Sequence, residues 1–319
     1  MIGIWYFTRE MRLDVHQHVW TESLVDALRG RRELPFVRSE HGLTVLHMAG
    51  EQPYVIDCAA ESPTRRAELV TRDGVDRALV ALSSPVGIEA LPREQAEPLI
   101  AAYLDGALVL PAEFGVWAPI ALDELDPDDV DRALQRGCVG ISLAADAIAG
   151  IDLLARAYGL LERLEARDAP LFVHPGSAPW SARREAHLGD PLWWSALTGY
   201  VSGMQAAWLA FRAAGRRSHP RLRVIFAMLA GLAPLQLERL EARGGAGVRD
   251  ADPLAFYDTS SYGPAAIQWM RTVVGEGQLV YGSDRPVVDP VQRGATEASE
   301  LEALSRNAGL VVPTLETVG

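Results

Sequence analysis

Eight short apolar runs rich in Val, Ile and Leu recur along the 319-residue chain, and an amphipathic stretch follows each of them. This alternation is typical of a parallel sheet whose strands are joined by helices. Eight strands are the number that closes a barrel, and the length fits one barrel with insertions. The sequence therefore predicts an α/β fold with one domain over residues 1–319, a single (β/α)₈ TIM barrel. The predicted strands are residues 12–19, 77–82, 107–111, 139–143, 170–174, 222–227, 256–259 and 278–281.

A long insertion follows the first predicted strand, over about residues 20–70. Within it, two β-prone segments flank His41-Gly42, which predicts a β-hairpin that turns at this pair. The insertion leaves the C-terminal end of a strand, so we expect it to arch over the barrel mouth, where such barrels keep their active sites. Farther along, residues 192–214 predict one long helix, with its aromatic side chains in the core.

Charge and composition exclude several classes of protein. The 30 basic residues are all Arg, and 42 acidic residues bring the formal charge to −12, which disfavours nucleic acid and anionic lipid surfaces as partners. The absence of Lys excludes Schiff-base catalysis by that residue. Because no 18 apolar residues run together and the N-terminus lacks a basic flank, we expect no membrane span, no signal peptide and a cytoplasmic protein.

The clearest chemical motif is Asp14-Val15-His16-Gln17-His18, at the end of the first predicted strand. Strand alternation puts His16 and His18 on one face, with their Cα atoms about 7 Å apart. Two imidazoles at this spacing can converge on one cation, although the pair alone is weak evidence for a metal site.

Two other predicted strands end in side chains that bind metals. The fifth ends in His174 before a Pro-Gly turn, and Asp284 follows the eighth. Because the carboxyl ends of barrel strands share one rim, the four side chains can meet there. Three His and one Asp with an open position are typical of a catalytic site for Zn²⁺, with Mn²⁺ or Fe²⁺ as alternatives.

At these motifs the chain resembles the amidohydrolase superfamily, and within it the amidohydrolase-related group typified by aminocarboxymuconate-semialdehyde decarboxylase. The resemblance covers nearly the whole chain. It implies a single metal ion bound by His16, His18, His174 and Asp284, and without Lys the binuclear form with a carboxylated Lys is impossible. The segments that carry it are LDVHQH at 13–18, FVHPG at 172–176, PRLRVI at 220–225, YDTS at 257–260 and YGSDRP at 281–286.

One position departs from the family pattern. The family's sixth strand usually ends in a His that assists proton transfer, and here Met228 takes its place. A thioether neither donates a proton nor acts as a base at neutral pH, so decarboxylation in the family's usual manner is in doubt. Of the other histidines, His187 follows His174 by 13 residues and is the candidate that could replace it; His41 and His47 belong to the insertion.

Candidate substrate-binding residues lie near the same rim. Arg285 and Arg183 have the planar fork that pairs with a carboxylate. Trp180, in the loop after His174, and Trp117, near the third predicted strand, are candidates for the pocket wall, and Met228 is expected to contact the substrate.

Three functions remain open from the sequence. The first is hydrolysis of a small carboxylated amide or lactone, with metal-activated water and Asp284 as proton shuttle. The second is non-oxidative decarboxylation of a small aromatic or enoic acid, with Asp284 or His187 as proton donor. The third is a barrel that has lost catalysis and binds a ligand, for which Met228 argues. The expected partner is a small molecule, and a homodimer is left open.

Overall fold

The computed structural model describes residues 11–181, 190–245, 252–289 and 297–312. In these ranges the strands are β1 (Leu13–His18), β2 (Phe36–Glu40), β3 (Leu43–His47), β4 (Tyr54–Ile56), β5 (Arg77–Ala81), β6 (Phe114–Pro119), β7 (Gly140–Ala144), β8 (Leu171–His174), β9 (Val224–Phe226), β10 (Ala255–Asp258) and β11 (Leu279–Val280). The helices are α1 (Glu22–Arg29), α2 (Pro63–Arg72), α3 (Arg93–Ala107), α4 (Asp128–Gln135), α5 (Ile151–Arg156), α6 (Tyr158–Ala166), α7 (Trp194–Leu197), α8 (Gly199–Ala210), α9 (Arg216–Ser218), α10 (Leu237–Glu241), α11 (Pro264–Val274) and α12 (Glu297–Val311). None of these helices has the length and apolar character needed to cross a bilayer.

Eight parallel strands form the main sheet, in the order β1-β5-β6-β7-β8-β9-β10-β11. The segment after β11 returns to β1. The N–H of Val15 donates to the carbonyl of Tyr281 at 2.9 Å, and the N–H of Asp284 donates to the carbonyl of His16 at 2.8 Å. These bonds close the sheet, which confirms the predicted (β/α)₈ barrel.

The barrel strands are buried on both faces, which explains their unbroken apolar runs. In β8, the side chains of Leu171, Phe172 and Val173 are fully buried. The indole of Trp117, in β6, stacks on the ring of Phe172 with centroids 5.4 Å apart, and its Nε1–H donates to the carbonyl of Val15 at 3.0 Å. Trp117 is therefore part of the barrel core, and its expected place in the pocket wall is wrong.

The predicted third strand at residues 107–111 is wrong. Helix α3 extends to Ala107, and the chain then turns, so that Val109 is 79% exposed. The apolar residues at the end of α3 bury one helix face against the barrel, and this pattern resembles a short strand when only five residues are considered. The strand that takes the third place in the barrel is β6.

The predicted long helix at 192–214 is also wrong as a single element. It consists of α7 and α8, separated at Thr198, followed by a π-helical turn at Phe211–Gly215. Trp208 of α8 is buried as predicted, and Met204 of the same helix is also buried. Trp193 and Trp194 are 54% and 47% exposed, because the four-residue α7 lies at the surface near the barrel mouth.

The insertion after β1 contains the predicted hairpin. Strands β2 and β3 pair antiparallel, and the turn between them has His41 at φ 50° and Gly42 at φ 82°, the left-handed pair that such two-residue turns require. Strand β4 pairs with β3 as a third strand. The segment between β3 and β4 contributes to the wall of the cavity at the barrel mouth.

Candidate metal centre

Strand β1 carries a bulge where its metal-binding side chains begin. Asp14 pairs with Ala78 and Gln17 with Val80, so three steps along β1 match two along β5. Oδ1 of Asp14 accepts the N–H of His16 at 3.0 Å and the N–H of Ser283 at 3.1 Å. Asp14 therefore joins the strand that carries His16 and His18 to the segment that carries Asp284.

The four predicted metal-binding side chains meet at the mouth of the barrel. His16, His18, His174 and Asp284 are buried, and their candidate ligand atoms all lie within 4.8 Å of one another. Nε2 of His16 is 3.2 Å from Nε2 of His18, and both lie within 3.4 Å of Oδ1 of Asp284. The ring of His174 is centred 4.9 Å from each of the other two imidazoles. These side chains form a metal-binding site.

Hydrogen bonds orient each imidazole for a metal ion. Nδ1–H of His18 donates to the carbonyl of Ala81 at 2.9 Å, and Nδ1–H of His174 donates to the carbonyl of Pro175 at 2.8 Å. Nδ1 of His16 is 2.9 Å from Oδ2 of Asp258, a carboxylate that accepts its proton. Because each Nδ1 has an acceptor, each imidazole in its neutral form directs an Nε2 lone pair towards the other two, an arrangement that a proton or a metal ion stabilises.

Burial and neighbouring charges shift the pKa values of the cluster's side chains in different directions. Burial alone would lower the pKa of His16, but the carboxylates of Asp258 and Asp284 outweigh it and raise the pKa to about 9. Burial lowers the pKa of His174 well below its usual range, and the adjacent imidazoles reinforce this. Burial would raise the pKa of Asp284, but the imidazoles of His16 and His18 lower it. A proton or a metal ion therefore neutralises excess negative charge at the cluster.

A tight backbone approach places Asp284 beside the imidazoles. Its φ is 60°, in the left-handed region that Asp tolerates better than most residues. Two residues earlier, a Cβ on Gly282 would lie 2.8 Å from Cγ of Asp258, so only glycine lets this segment pass the Asp258 side chain. Ser261 Oγ donates to Oδ2 of Asp284 at 3.3 Å.

A buried arginine supports β1 from behind the site. Nη2 of Arg66, in α2, donates to Oε1 of Gln17 and to the carbonyl of His18, both at 2.8 Å. Gln17 in turn donates from Nε2 to Oδ2 of Asp14 at 2.9 Å. Glu61 lies 3.6 Å from Nη1 of Arg66 and balances its charge. This network fixes the backbone that carries the two β1 imidazoles.

A cavity of about 410 Å³ opens above the cluster. His16, His18, His174 and Asp284 contribute to its lining, and three larger aromatic rings line it as well: Trp20, Tyr54 and Tyr200. Met48, Leu192 and Val287 add apolar surface, and no Arg lines the cavity in the described ranges. The volume and the mainly apolar lining suit a small molecule with one polar end directed at the cluster.

Met228 lies in the cavity wall, in an unusual backbone segment. Residues 228–232 all have positive φ, between 50° and 63°, although only Gly231 is a glycine. The N–H of Met228 donates to Oδ1 of Asp258 at 3.2 Å and to Oγ of Ser260 at 3.3 Å. A left-handed non-glycine residue costs roughly 1–2 kcal/mol, and such strain is concentrated at functional sites.

Two predicted substrate-binding residues lie outside the cavity lining. Arg285 forms ion pairs with Asp73 and Asp289, with its Nη2 3.2 Å from Asp73 and its Nη1 2.9 Å from Asp289. The guanidinium of Arg156 stacks on the ring of Trp180 at 3.8 Å. Neither predicted role is supported, because Arg285 is engaged by protein carboxylates and Trp180 packs against a neighbouring side chain.

The remaining histidines do not approach the cluster where they are described. His41 is exposed in the hairpin turn, and His47 pairs with Glu40 at 2.7 Å and stacks on Phe36. His187 and Arg183 lie outside the described residues, so their predicted roles stay predictions.

Two functional features escaped the sequence reasoning. Asp258, which accepts the proton of His16, was part of the YDTS motif but had no assigned role. Its position at the C-terminal end of the seventh barrel strand is the signal that could have identified it. The residues that the insertion contributes to the cavity wall, such as Glu51 and Tyr54, had no comparable signal because they lie in irregular or short segments.

Another buried carboxyl, Glu89, lies in the connection between β5 and α3. It is 2% exposed; Oγ of Ser84 donates to its Oε1 at 2.6 Å, and its Oε2 has no hydrogen-bond partner among the described residues. Burial raises the pKa of Glu89 from 4.5 to about 7, against the opposing hydrogen bond from Ser84. The folded state therefore binds this proton more tightly than the unfolded chain does.

Because of this pKa difference, ionisation of Glu89 should lower the free energy of unfolding progressively between pH 4.5 and pH 7. Above pH 7 the reduction should stay constant. We expect the decrease in the free energy of unfolding between pH 5 and pH 8 to be smaller in Glu89→Gln than in wild type, by up to about 3 kcal/mol. The measurement is the free energy of unfolding in urea at pH 5 and pH 8, with Glu97→Gln, exposed on α3, as control. The prediction would be contradicted if the free energy of unfolding changed between pH 5 and pH 8 by the same amount in Glu89→Gln as in wild type.

Comparison with solved structures finds the same fold over nearly the whole chain. Metarhizium anisopliae IDCase in its apo form has a TM-score of 0.77 at 16% identity, covering 97% of this chain and 98% of that one. The 5-carboxyvanillate decarboxylase LigW from Sphingomonas paucimobilis has a TM-score of 0.71 at 17% identity, covering 95% and 99%.

A third neighbour was solved with a metal ion and a small ligand. It is the 5-carboxyvanillate decarboxylase from Novosphingobium aromaticivorans, complexed with manganese and 4-hydroxy-3-methoxy-5-nitrobenzoic acid. Its TM-score is 0.69 at 18% identity, covering 95% of this chain and 96% of that one. No protein-family model and no curated protein matches the sequence. The solved structures therefore confirm the resemblance to the amidohydrolase-related group at the level of the fold alone.

Proposed function

We propose that the protein is a metal-dependent decarboxylase of a small aromatic or enoic acid. The observation that carries this proposal is the convergence of three imidazole Nε2 atoms and Oδ1 of Asp284 at the floor of an aromatic-lined cavity. The same fold in solved decarboxylases supports this reaction over hydrolysis, which ranked first from the sequence alone.

The residues present fit a divalent ion. His16, His18 and His174 would supply nitrogen and Asp284 oxygen, a set that suits Zn²⁺, Mn²⁺ or Fe²⁺. The manganese in one structural neighbour makes Mn²⁺ the first ion to test. When bound, such an ion orients a substrate carboxylate with its adjacent hydroxyl and withdraws electron density from them.

The protein's own groups supply the rest of the chemistry. Decarboxylation breaks the bond between the carboxylate carbon and the ring or alkene carbon, and the electron pair left on that carbon must take up one proton. Asp284 is the group we assign to this transfer, because its side chain contributes to the cavity floor beside His16 and His18. Its lowered pKa keeps it ionised at rest, so the proton first comes from the substrate hydroxyl or water.

The cavity wall adds a second contribution. Trp20, Tyr54, Tyr200 and Met228 hold a ring by apolar contact and keep water from the reacting carbon. In this scheme Met228 needs no proton, so the absence of the family's His at this position does not block the reaction.

Hydrolysis of a small amide or lactone is the second candidate. Met228 favours it, because the family's usual proton-transfer side chain is absent. Asp284, beside the imidazole nitrogens of His16 and His18, would accept the proton of an attacking water.

Product analysis separates these two reactions. We expect the Mn²⁺-loaded protein to release ¹³CO₂ from carboxyl-labelled 2-hydroxybenzoates, and to incorporate ¹³C from labelled bicarbonate into phenols in the reverse direction, both followed by NMR. Turnover of amides or lactones without CO₂ release from any carboxylic acid would overturn the decarboxylase assignment.

A further inference from the structure

A carboxylate lies in the wall of the cavity on the side formed by the insertion. Glu51, between β3 and β4, and Ser195, in α7, both line the cavity. Oγ of Ser195 donates to Oε2 of Glu51 at 2.7 Å. This bond joins two elements that are 144 residues apart in the sequence and holds the carboxylate in one position.

The position of Glu51 makes it a recognition group for the end of a ligand that lies away from the cluster. The metal-binding side chains lie on or just after barrel strands, whereas Glu51 belongs to the insertion after β1, which contributes to the wall of the cavity. Ser195 engages one of its oxygens, which leaves Oε1 to accept a hydrogen bond from a ligand. A partly buried carboxylate favours a donor and repels a second carboxylate.

We propose that Glu51, held by Ser195, selects aromatic acids that carry an amino or hydroxyl group on the ring position remote from the reacting carboxylate, and rejects acids with a second carboxylate there. This inference rests on the proposed function for the orientation of the ligand. Ser195 is a positioning residue in this scheme, because it acts through Glu51.

The described lining supports this selection. Besides the three imidazoles, its acidic side chains are Glu51 and Asp284, and no Arg of the described ranges lines the cavity beside them. One carboxylate of a ligand is accommodated at the metal-binding floor. A second carboxylate at the wall that Glu51 lines would meet a like charge, without a cation in the described lining.

Binding to a matched series of ligands tests the inference. The probes are 2-hydroxybenzoates that differ only at ring position 4, which carries hydrogen, methyl, amino or carboxylate. The dissociation constant of each is measured by calorimetry with Mn²⁺-loaded wild type, Glu51→Gln, Ser195→Ala and Ser195→Thr. Glu40→Gln, in the insertion but outside the cavity lining, is the control.

We expect wild type to bind the 4-amino compound at least about tenfold more tightly than the 4-methyl compound, with the 4-carboxylate weakest. Glu51→Gln should reduce the ratio between the 4-amino and 4-carboxylate compounds by about tenfold or more, since the amide no longer repels the carboxylate. Ser195→Ala should reduce the same ratio partly, Ser195→Thr should restore it, and Glu40→Gln should leave it unchanged.

Equal affinity of wild type for the four compounds, or an unchanged ratio in Glu51→Gln, would overturn the inference. A parallel loss of affinity for all four in Glu51→Gln would mean a merely structural role and would also overturn it. Binding with the expected ratios but no CO₂ release refutes the proposed reaction and leaves the selectivity established. No binding of any compound overturns both.

Discussion

The Asp284→Asn variant is expected to release CO₂ at least about a hundredfold more slowly than the wild-type protein, because the amide cannot carry the proton to the substrate carbon. Asn keeps the shape of the side chain and an oxygen that can face the ion. The loss should therefore appear mainly in kcat, with the metal content retained. The measurement is CO₂ release from a carboxyl-labelled substrate together with elemental analysis of the same sample.

Asp289→Asn is the matched control, because Asp289 is almost fully exposed and pairs only with Arg285 among the described contacts. Its turnover should equal that of the wild type. If Asp284→Asn with bound metal turns over as fast as wild type, Asp284 is not the proton carrier.

The second large effect concerns stability. The three Nε2 atoms and the Asp284 carboxylate come together only in the folded protein, so metal binding there should stabilise the folded state. At a free Mn²⁺ concentration a thousand times the dissociation constant, we expect a gain of about 4 kcal/mol in the free energy of unfolding. Urea titrations with Mn²⁺ and with excess chelator measure this gain.

His174→Gln should abolish the gain, because it removes one of the converging nitrogens. His47→Gln, at the surface of the insertion, should keep it. An equal gain in His174→Gln and wild type would place the stabilising metal elsewhere on the protein.

The barrel, the hairpin and the metal cluster could be predicted because each depends on a local sequence pattern that is compatible with one structure. Alternating apolar runs predicted the barrel, and the His-Gly pair at 41–42 predicted the hairpin, since left-handed turn positions admit few residue types. The metal cluster was predicted because barrel topology brings the carboxyl ends of strands to one rim. His16, His18, His174 and Asp284 therefore had to be near one another once their strands were assigned.

Other features depend on tertiary contacts that no short segment encodes. The left-handed run at 228–232 contains Leu and Ala and has no sequence signature; a Cβ on Gly231 would lie 2.7 Å from the carbonyl of Val201, which shows how closely α8 packs on it. Arg285 is adjacent to Asp284 in sequence, but Asp73, more than 200 residues away, turns it from the cavity. The exposure of Trp193 and Trp194 likewise depends on where α7 ends.

Metal content measures the central claim most directly. Purified protein is stripped with chelator, loaded separately with Mn²⁺, Zn²⁺ or Fe²⁺, desalted and analysed for metal, with circular dichroism to verify folding. We expect about one ion per chain in the wild type for at least one metal, and none in a folded variant with both His16→Asn and His174→Gln. Folded wild-type protein that retains none of the three metals would contradict the assignment of this cluster as a catalytic metal site.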